Sequence, residues 1–189
     1  MSELTDLTPA ERHRTLASRF LEIADGVDDW DAPTPVKEWT NRDVVAHLTW
    51  LPGMLAGMGV ELDVPQHDDP VEQLRAQTEV VQERLDGPDG EQMVETGMMG
   101  QLSFSQVIDR FYNFDLFAHA WDLAKGSGQE IEVDEDYSAG AHAGMSAMGP
   151  ALHASGQFGS PQPVADDAPA SDRLLALIGR DRDWRADSR

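Results

Sequence analysis

The stretch from Ser103 to Lys125 constrains this chain most, because it reads as a helix with too much apolar surface for a protein exterior. Ser103 and Gln106 have the spacing of a capping box, in which each side chain satisfies the other's free backbone N–H. Phe104, Val107, Ile108, Phe111, Phe114, Leu116, Phe117 and Leu123 then cover more than one stripe, up to Gly126 and Gly128. A helix apolar on more than one side is packed on more than one side, so the rest of the chain is expected to surround it.

The remaining segments supply the partners. Thr8-Pro9-Ala10-Glu11 combines a cap, a proline at the first helical position and a reciprocal glutamate, predicting a helix to about Asp25, with Gly26 ending it. Two prolines within Trp30–Pro35 exclude regular structure there. Thr40 and Asp43 open a second helix that turns Val44, Val45, Leu48 and Leu51 toward a core, with His47 among them. A third is predicted from Pro70 to about Leu85, ended by the turn Gly87-Pro88-Asp89-Gly90. Residues 94–100 are open between a short strand and an irregular connection. A further helix is expected from Asp134 to about Leu152, then a Pro/Gly/Ser-rich loop over 156–170 and a last short helix from Ser171 to Ile178. The sum is an all-α single domain over 1–189, four main helices with a C-terminal helical extension and little or no sheet.

Charge and composition bound the function. Acidic residues number 35 against 14 basic ones, for a formal charge of −21, and only Lys37 and Lys125 are lysines. Such a surface repels phosphate backbones and anionic lipid, so neither nucleic acid nor membrane is an expected partner. No stretch approaches the ~18 apolar residues of a transmembrane helix. Met1-Ser2-Glu3-Leu4 shows no basic-then-apolar leader pattern, and cysteine is absent. Disulfides, cysteine-thiolate metal sites and cysteine nucleophiles are thereby excluded, and a cytoplasmic location is expected.

Asp115 and His119 stand four apart on the central helix, so both side chains leave the same face. A helix that fixes two donors in advance suits a metal ion, and His47 on a neighbouring helix could supply a third. Two imidazoles and one carboxylate would leave coordination positions open, as a catalytic or substrate-binding site requires. Zinc suits this set, and nickel or ferrous iron accept it. From spacing alone, the i,i+4 pair reads more readily as an exposed hydrogen-bonded pair, and His47 as a satisfied core histidine. The apolar setting favours the metal, because an unpaired ionised Asp115 would be costly there. No Ser-His-Asp arrangement, Walker motif or dinucleotide fingerprint is present, and no residue stands out as a general base.

The flanking residues carry a resemblance. Thr34-Pro35-Val36-Lys37-Glu38-Trp39-Thr40-Asn41-Arg42-Asp43-Val44-Val45-Ala46-His47-Leu48 resembles the T-P-C-x-x-W-T-x-x-D-v-x-x-H segment of actinobacterial metal-binding proteins. These belong to the DinB-like, mycothiol-dependent maleylpyruvate isomerase N-terminal superfamily. His119-Ala120-Trp121-Asp122-Leu123-Ala124-Lys125-Gly126-Ser127-Gly128 is similar to its second signature, H-x-W-D-L-A-x-A-x-G, and the similarity continues through Phe158-Gly159 and Asp172–Asp181. It implies a DinB-like four-helix bundle binding one divalent ion through His47, Asp115 and His119. It also implies a small-molecule substrate and a low-molecular-weight thiol such as mycothiol, hence thiol transfer or thiol-assisted isomerisation. The alternative is a non-catalytic, metal-stabilised ligand-binding or structural protein. Three departures bear on the reaction. Asp115 replaces the glutamate of the isomerase branch, Val36 stands where many relatives have cysteine, and no room is expected for the isomerase's separate C-terminal domain. Asp122 is a candidate partner for an imidazole N–H. Trp39 and Trp121 are expected as core anchors, and His142 as a residue that could line the pocket. Tyr112 and Arg110 lie close to the ligands in sequence. Oligomeric state, a homodimer included, is left open.

Overall fold

The structure, a computed structural model, describes residues 4–154 and 156–186, with every side chain among them except that of Met98. Residues 1–3, where no leader pattern is expected, and the last three positions of the chain lie outside the described residues.

Five of the described helices begin where a side chain satisfies free backbone donors of the first turn, at Thr8, Thr40, Asp69, Ser103 and Asp134. Helix α1 (Pro9–Asp25) starts at Thr8, whose hydroxyl accepts from the Glu11 N–H while the Glu11 carboxylate accepts from the Thr8 N–H at 2.9 Å. Helix α2 (Asn41–His47) repeats the device with Thr40 and Asp43, at 2.8 Å. A 3-10 turn over Leu48–Trp50 separates α2 from α3 (Leu51–Gly57). Helix α4 (Pro70–Asp86) is capped by Asp69, which accepts from the N–H groups of Val71 and Glu72. The undecided segment that follows resolves as a short antiparallel hairpin, β1 (Met93–Glu95) and β2 (Gln101–Ser103), with Val94 opposite Leu102.

The long central helix expected over 103–125 is two helices, α5 (Phe104–Phe111) and α6 (Asn113–Gly126). The interruption falls at Tyr112, with φ −112° and ψ −38°. Its ring is fully buried, and its hydroxyl donates to the Leu48 carbonyl at 3.0 Å while accepting from Gln77 Nε2 at 2.8 Å. Gln77 Nε2 also reaches the Leu48 carbonyl, at 3.0 Å. That carbonyl sits at the other interruption, between α2 and α3, where a helix end leaves acceptors to be satisfied from outside. The side chain at one break therefore satisfies a carbonyl at the other. The helix expected over 134–152 is also divided, into α7 (Glu135–Ser146) and α8 (Ala151–Ala154). Pro150 cannot continue the ladder of α7, and Gly149 turns the chain with φ 56°. Helix α9 (Ala170–Leu177) closes the extension.

Helix α6 lies against α1 and α2, α1 also packs on α4 and α5, and α7 pairs with α9. Val44, Val45, Leu48 and Leu51 are all fully buried, each contributing about 1.5–3 kcal/mol by leaving water. The close approach of α2 to the end of α6 depends on Gly126. A Cβ there would lie 2.2 Å from Asn41 Oδ1, so any larger residue would push the start of α2 away. The result is an all-α bundle with a C-terminal helical extension. Among the described residues no helix is long and apolar enough to cross a membrane.

Candidate metal centre

His47 is the last residue of α2, and Asp115 and His119 are one turn apart on α6. Packing of α2 on α6 brings the three side chains together. His47 Nε2 lies 3.3 Å from Asp115 Oδ2, and His119 Nε2 lies 3.8 Å from Asp115 Oδ1. One donor atom from each residue falls within 4.8 Å of the other two. Around a tetrahedral ion with bonds of about 2.0–2.1 Å, donors stand roughly 3.3 Å apart, so the set fits a small divalent cation.

The surroundings prepare each donor. His119 Nδ1 donates to Asp122 Oδ2 at 2.9 Å, which leaves the lone pair on Nε2, the nitrogen that faces Asp115. Asp122 is fully buried and is itself gripped by Arg180, whose Nη2 donates to Oδ2 at 2.7 Å and whose Nε donates to Oδ1 at 3.2 Å. Burial pushes the Asp122 carboxyl up, but the Arg180 guanidinium and the His119 contact outweigh it and hold the group at about 2. Burial likewise works to raise Asp115, and the contacts with His47, His119 and Trp50 keep it below the ordinary carboxylate range. The Trp50 indole N–H donates to Asp115 Oδ2 at 2.7 Å and fixes the carboxylate between the two imidazoles.

Trp39 packs against the core, as expected of an anchor, and its ring also faces the two imidazoles. It is half-buried, and its ring lies 4.9 Å from that of His47 and 5.7 Å from that of His119, nearly parallel to the latter at 22°. The turn that delivers it passes through Glu38 with φ 67°, a left-handed conformation costing a non-glycine residue about 1–2 kcal/mol. Trp121 is a core residue as expected, 2% exposed. Tyr112 braces Leu48 beside His47, and Arg110 is exposed. His142, on α7, is not among the converging donors. The sequence reading missed Trp50 and Arg180. The first enters through the 3-10 turn after α2, and the second comes from beyond α9.

With this geometry in place, likeness to known proteins can be set against it. The model of the mycothiol maleylpyruvate isomerase N-terminal domain family matches residues 13–124. The chain belongs to this family. The matched region contains all three converging donors and Asp122, and stops well before Arg180. Two uncharacterised proteins of Mycobacterium tuberculosis, one from strain CDC 1551 / Oshkosh and one from strain ATCC 25618 / H37Rv, are similar over nearly their whole length. Each is 27% identical over 181 residues, covering 92% of this chain and 98% of the relative. No solved structure matches the chain.

Proposed function

We propose that His47, Asp115 and His119 hold one divalent ion, and that the protein uses it to transfer a low-molecular-weight thiol of the mycothiol type or to assist an isomerisation with one. The observation that carries this reading is the graded exposure of the donors. The side chain of His119 is 7% exposed, that of Asp115 22% and that of His47 34%. A set of three donors that opens toward solvent suits a site with exchangeable positions, whereas structural sites are closed by four protein ligands. When bound, such an ion favours thiolate over thiol at neutral pH.

The chain's own residues supply the rest. Asp122 holds His119 in the tautomer with Nε2 free, Trp50 holds the carboxylate, and Trp39 shields one side of both imidazoles from water. In the addition, the thiol sulfur forms a C–S bond to an activated C=C carbon and its proton ends on the adjacent carbon, so nothing is oxidised or reduced. Reversal of the same step after rotation about the former double bond gives isomerisation. The thiol class is supported by membership of a family named for mycothiol. Zinc suits two imidazoles and a carboxylate, and nickel or ferrous iron are the other candidates. The formal charge of −21 speaks against nucleic acid and anionic lipid as partners.

Protein stripped with a chelator and reloaded with zinc or nickel is expected to consume thiol in the presence of an activated alkene. His119→Ala is expected to abolish that turnover, and full turnover in this variant would overturn the proposal. A second reading, a metal that only staples α2 to α6, draws on the way the donors bridge those helices. On that reading metal raises the melting temperature while thiol stays unreacted, and X-ray absorption shows a closed shell of protein ligands rather than an exchangeable water.

A further inference from the structure

We infer that Arg180, which lies outside the family-matched region, is a positioning residue of the metal centre: it acts through Asp122 to fix the ring of His119. This rests on the reading of His47, Asp115 and His119 as metal donors. Asp122 has no solvent contact, and among the described residues its two oxygens are occupied by His119 and Arg180 only. The guanidinium meets the carboxylate in a two-pronged grip, so both oxygens act as acceptors and the plane of the carboxylate is set. The hydrogen in the His119–Asp122 contact then belongs to Nδ1, and Nε2 is left with its lone pair toward Asp115. Among the described residues, nothing besides Arg180 holds the carboxylate plane that orients the imidazole.

The chain is built to deliver this side chain. Helix α9 ends in a Schellman turn, with the Gly179 N–H donating to the Ala176 carbonyl at 3.1 Å and the Arg180 N–H to the Leu175 carbonyl at 2.8 Å. Gly179 has φ 90°, and a Cβ there would lie 2.6 Å from the Cα of Gly159, so glycine is required twice over. Arg180 Nη1 is tied to the Ile178 carbonyl at 2.9 Å, and only 8% of the residue is exposed. Next to Gly159, Phe158 packs edge-on against Phe114, the neighbour of Asp115, at 6.5 Å. The C-terminal extension is thus anchored to the ligand-bearing helix at 114 and 122, in addition to the packing of Tyr137 against Phe117.

The test uses the full chain and the metal alone. Zinc affinity is measured by competition with a chromophoric chelator, and the visible absorption of the cobalt-loaded protein reports the donor geometry. Arg180→Lys keeps the charge and loses the fork. The pair Arg180→Met with Asp122→Asn leaves no unpaired buried charge, and circular dichroism checks that it folds. Arg182→Ala, which removes an ion pair with Asp172 in the same segment, is the control for loosening of the extension. The double variant is expected to bind zinc roughly 10–100-fold more weakly, and Arg180→Lys to fall in between, both with an altered cobalt spectrum. Arg182→Ala should stay within about twofold of wild type, on the ordinary scale of a surface ion pair. Wild-type affinity and an unchanged spectrum in both Arg180 variants would overturn the inference while leaving the metal centre intact. Failure of the wild-type chain to bind zinc or cobalt would overturn the metal centre, and this inference with it.

Discussion

His13 and His119 are both buried, on the adjacent helices α1 and α6, yet only one is placed to hold a metal. Among the described residues His13 makes one hydrogen bond, Nδ1 with Gln82 Oε1 at 2.8 Å, and its Nε2 is buried without a partner. Its ring lies 6.1 Å from that of Tyr112. His119 instead has a carboxylate on each side, Asp122 behind and Asp115 in front, and a second imidazole 4.8 Å away. Burial alone makes a histidine neutral and inert. A carboxylate behind it and further donors in front are what suit it to be a ligand. Both settings exist in the same bundle, so the difference lies in the partners and not in the depth.

That difference has a large energetic consequence on the His119 side. Asp122→Ala leaves the Arg180 guanidinium buried with no counter-charge, which is expected to cost about 3–5 kcal/mol. For a chain of this size that corresponds to a fall of roughly 10 °C or more in the melting temperature of the metal-free protein. Gln82→Ala removes the corresponding partner of His13, but a neutral one, and should cost only about 1 kcal/mol. Thermal melts of the two variants side by side decide the matter. Equal losses would erase the distinction between a charged relay and a neutral contact.

The His13 side makes itself felt through acid. Burial pushes this imidazole down to about 4, against the opposing hydrogen bond with Gln82, with Arg14 and Asp86 the nearby charges. The unfolded chain, with an ordinary value near 6.5, takes up the proton first, so the contribution is whole above about pH 6.5. It is lost as pH falls toward 4, to a total of about 3 kcal/mol. Chemical denaturation of wild type and His13→Gln at pH 7 and pH 4.5 isolates the effect, because other carboxyls titrate in both proteins. The stability advantage of wild type should shrink toward the lower pH. An advantage that stayed constant would show that His13 is not held neutral by its surroundings.

How far each part was legible in the sequence follows from the range of the interactions that fix it. The starts of α1, α2 and α5 were readable because each cap joins residues three apart, Thr8 with Glu11, Thr40 with Asp43 and Ser103 with Gln106. Asp122 was readable for the same reason, standing one turn beyond His119. The breaks at Leu48 and Tyr112 were not. They are linked by a hydrogen bond between residues 64 apart in the chain. Trp50 reaches Asp115 across 65 positions and Arg180 reaches Asp122 across 58, so neither contact leaves a periodicity to find. Trp39 was visible as an anchor, but only the turn through Glu38 shows that it lies over the two imidazoles.

The smallest expected effect separates the two histidine-bearing regions through their caps. Thr8 and Thr40 make the same reciprocal bonds, and replacing either by alanine should cost about 1 kcal/mol of stability. Their helices differ. Helix α1 has 17 residues and carries His13 in its second turn, whereas α2 has 7 and carries His47 at its far end. Fraying one turn of α2 leaves less than one further turn to hold His47 beside Asp115, while the same fraying of α1 leaves three. Thr40→Ala is therefore expected to weaken zinc binding a few-fold in addition to lowering stability, and Thr8→Ala to lower stability alone. Chelator competition on the two variants, at matched fractions folded, reads the difference directly. An equal loss of affinity in both would mean that the metal responds to overall stability and not to the placement of His47.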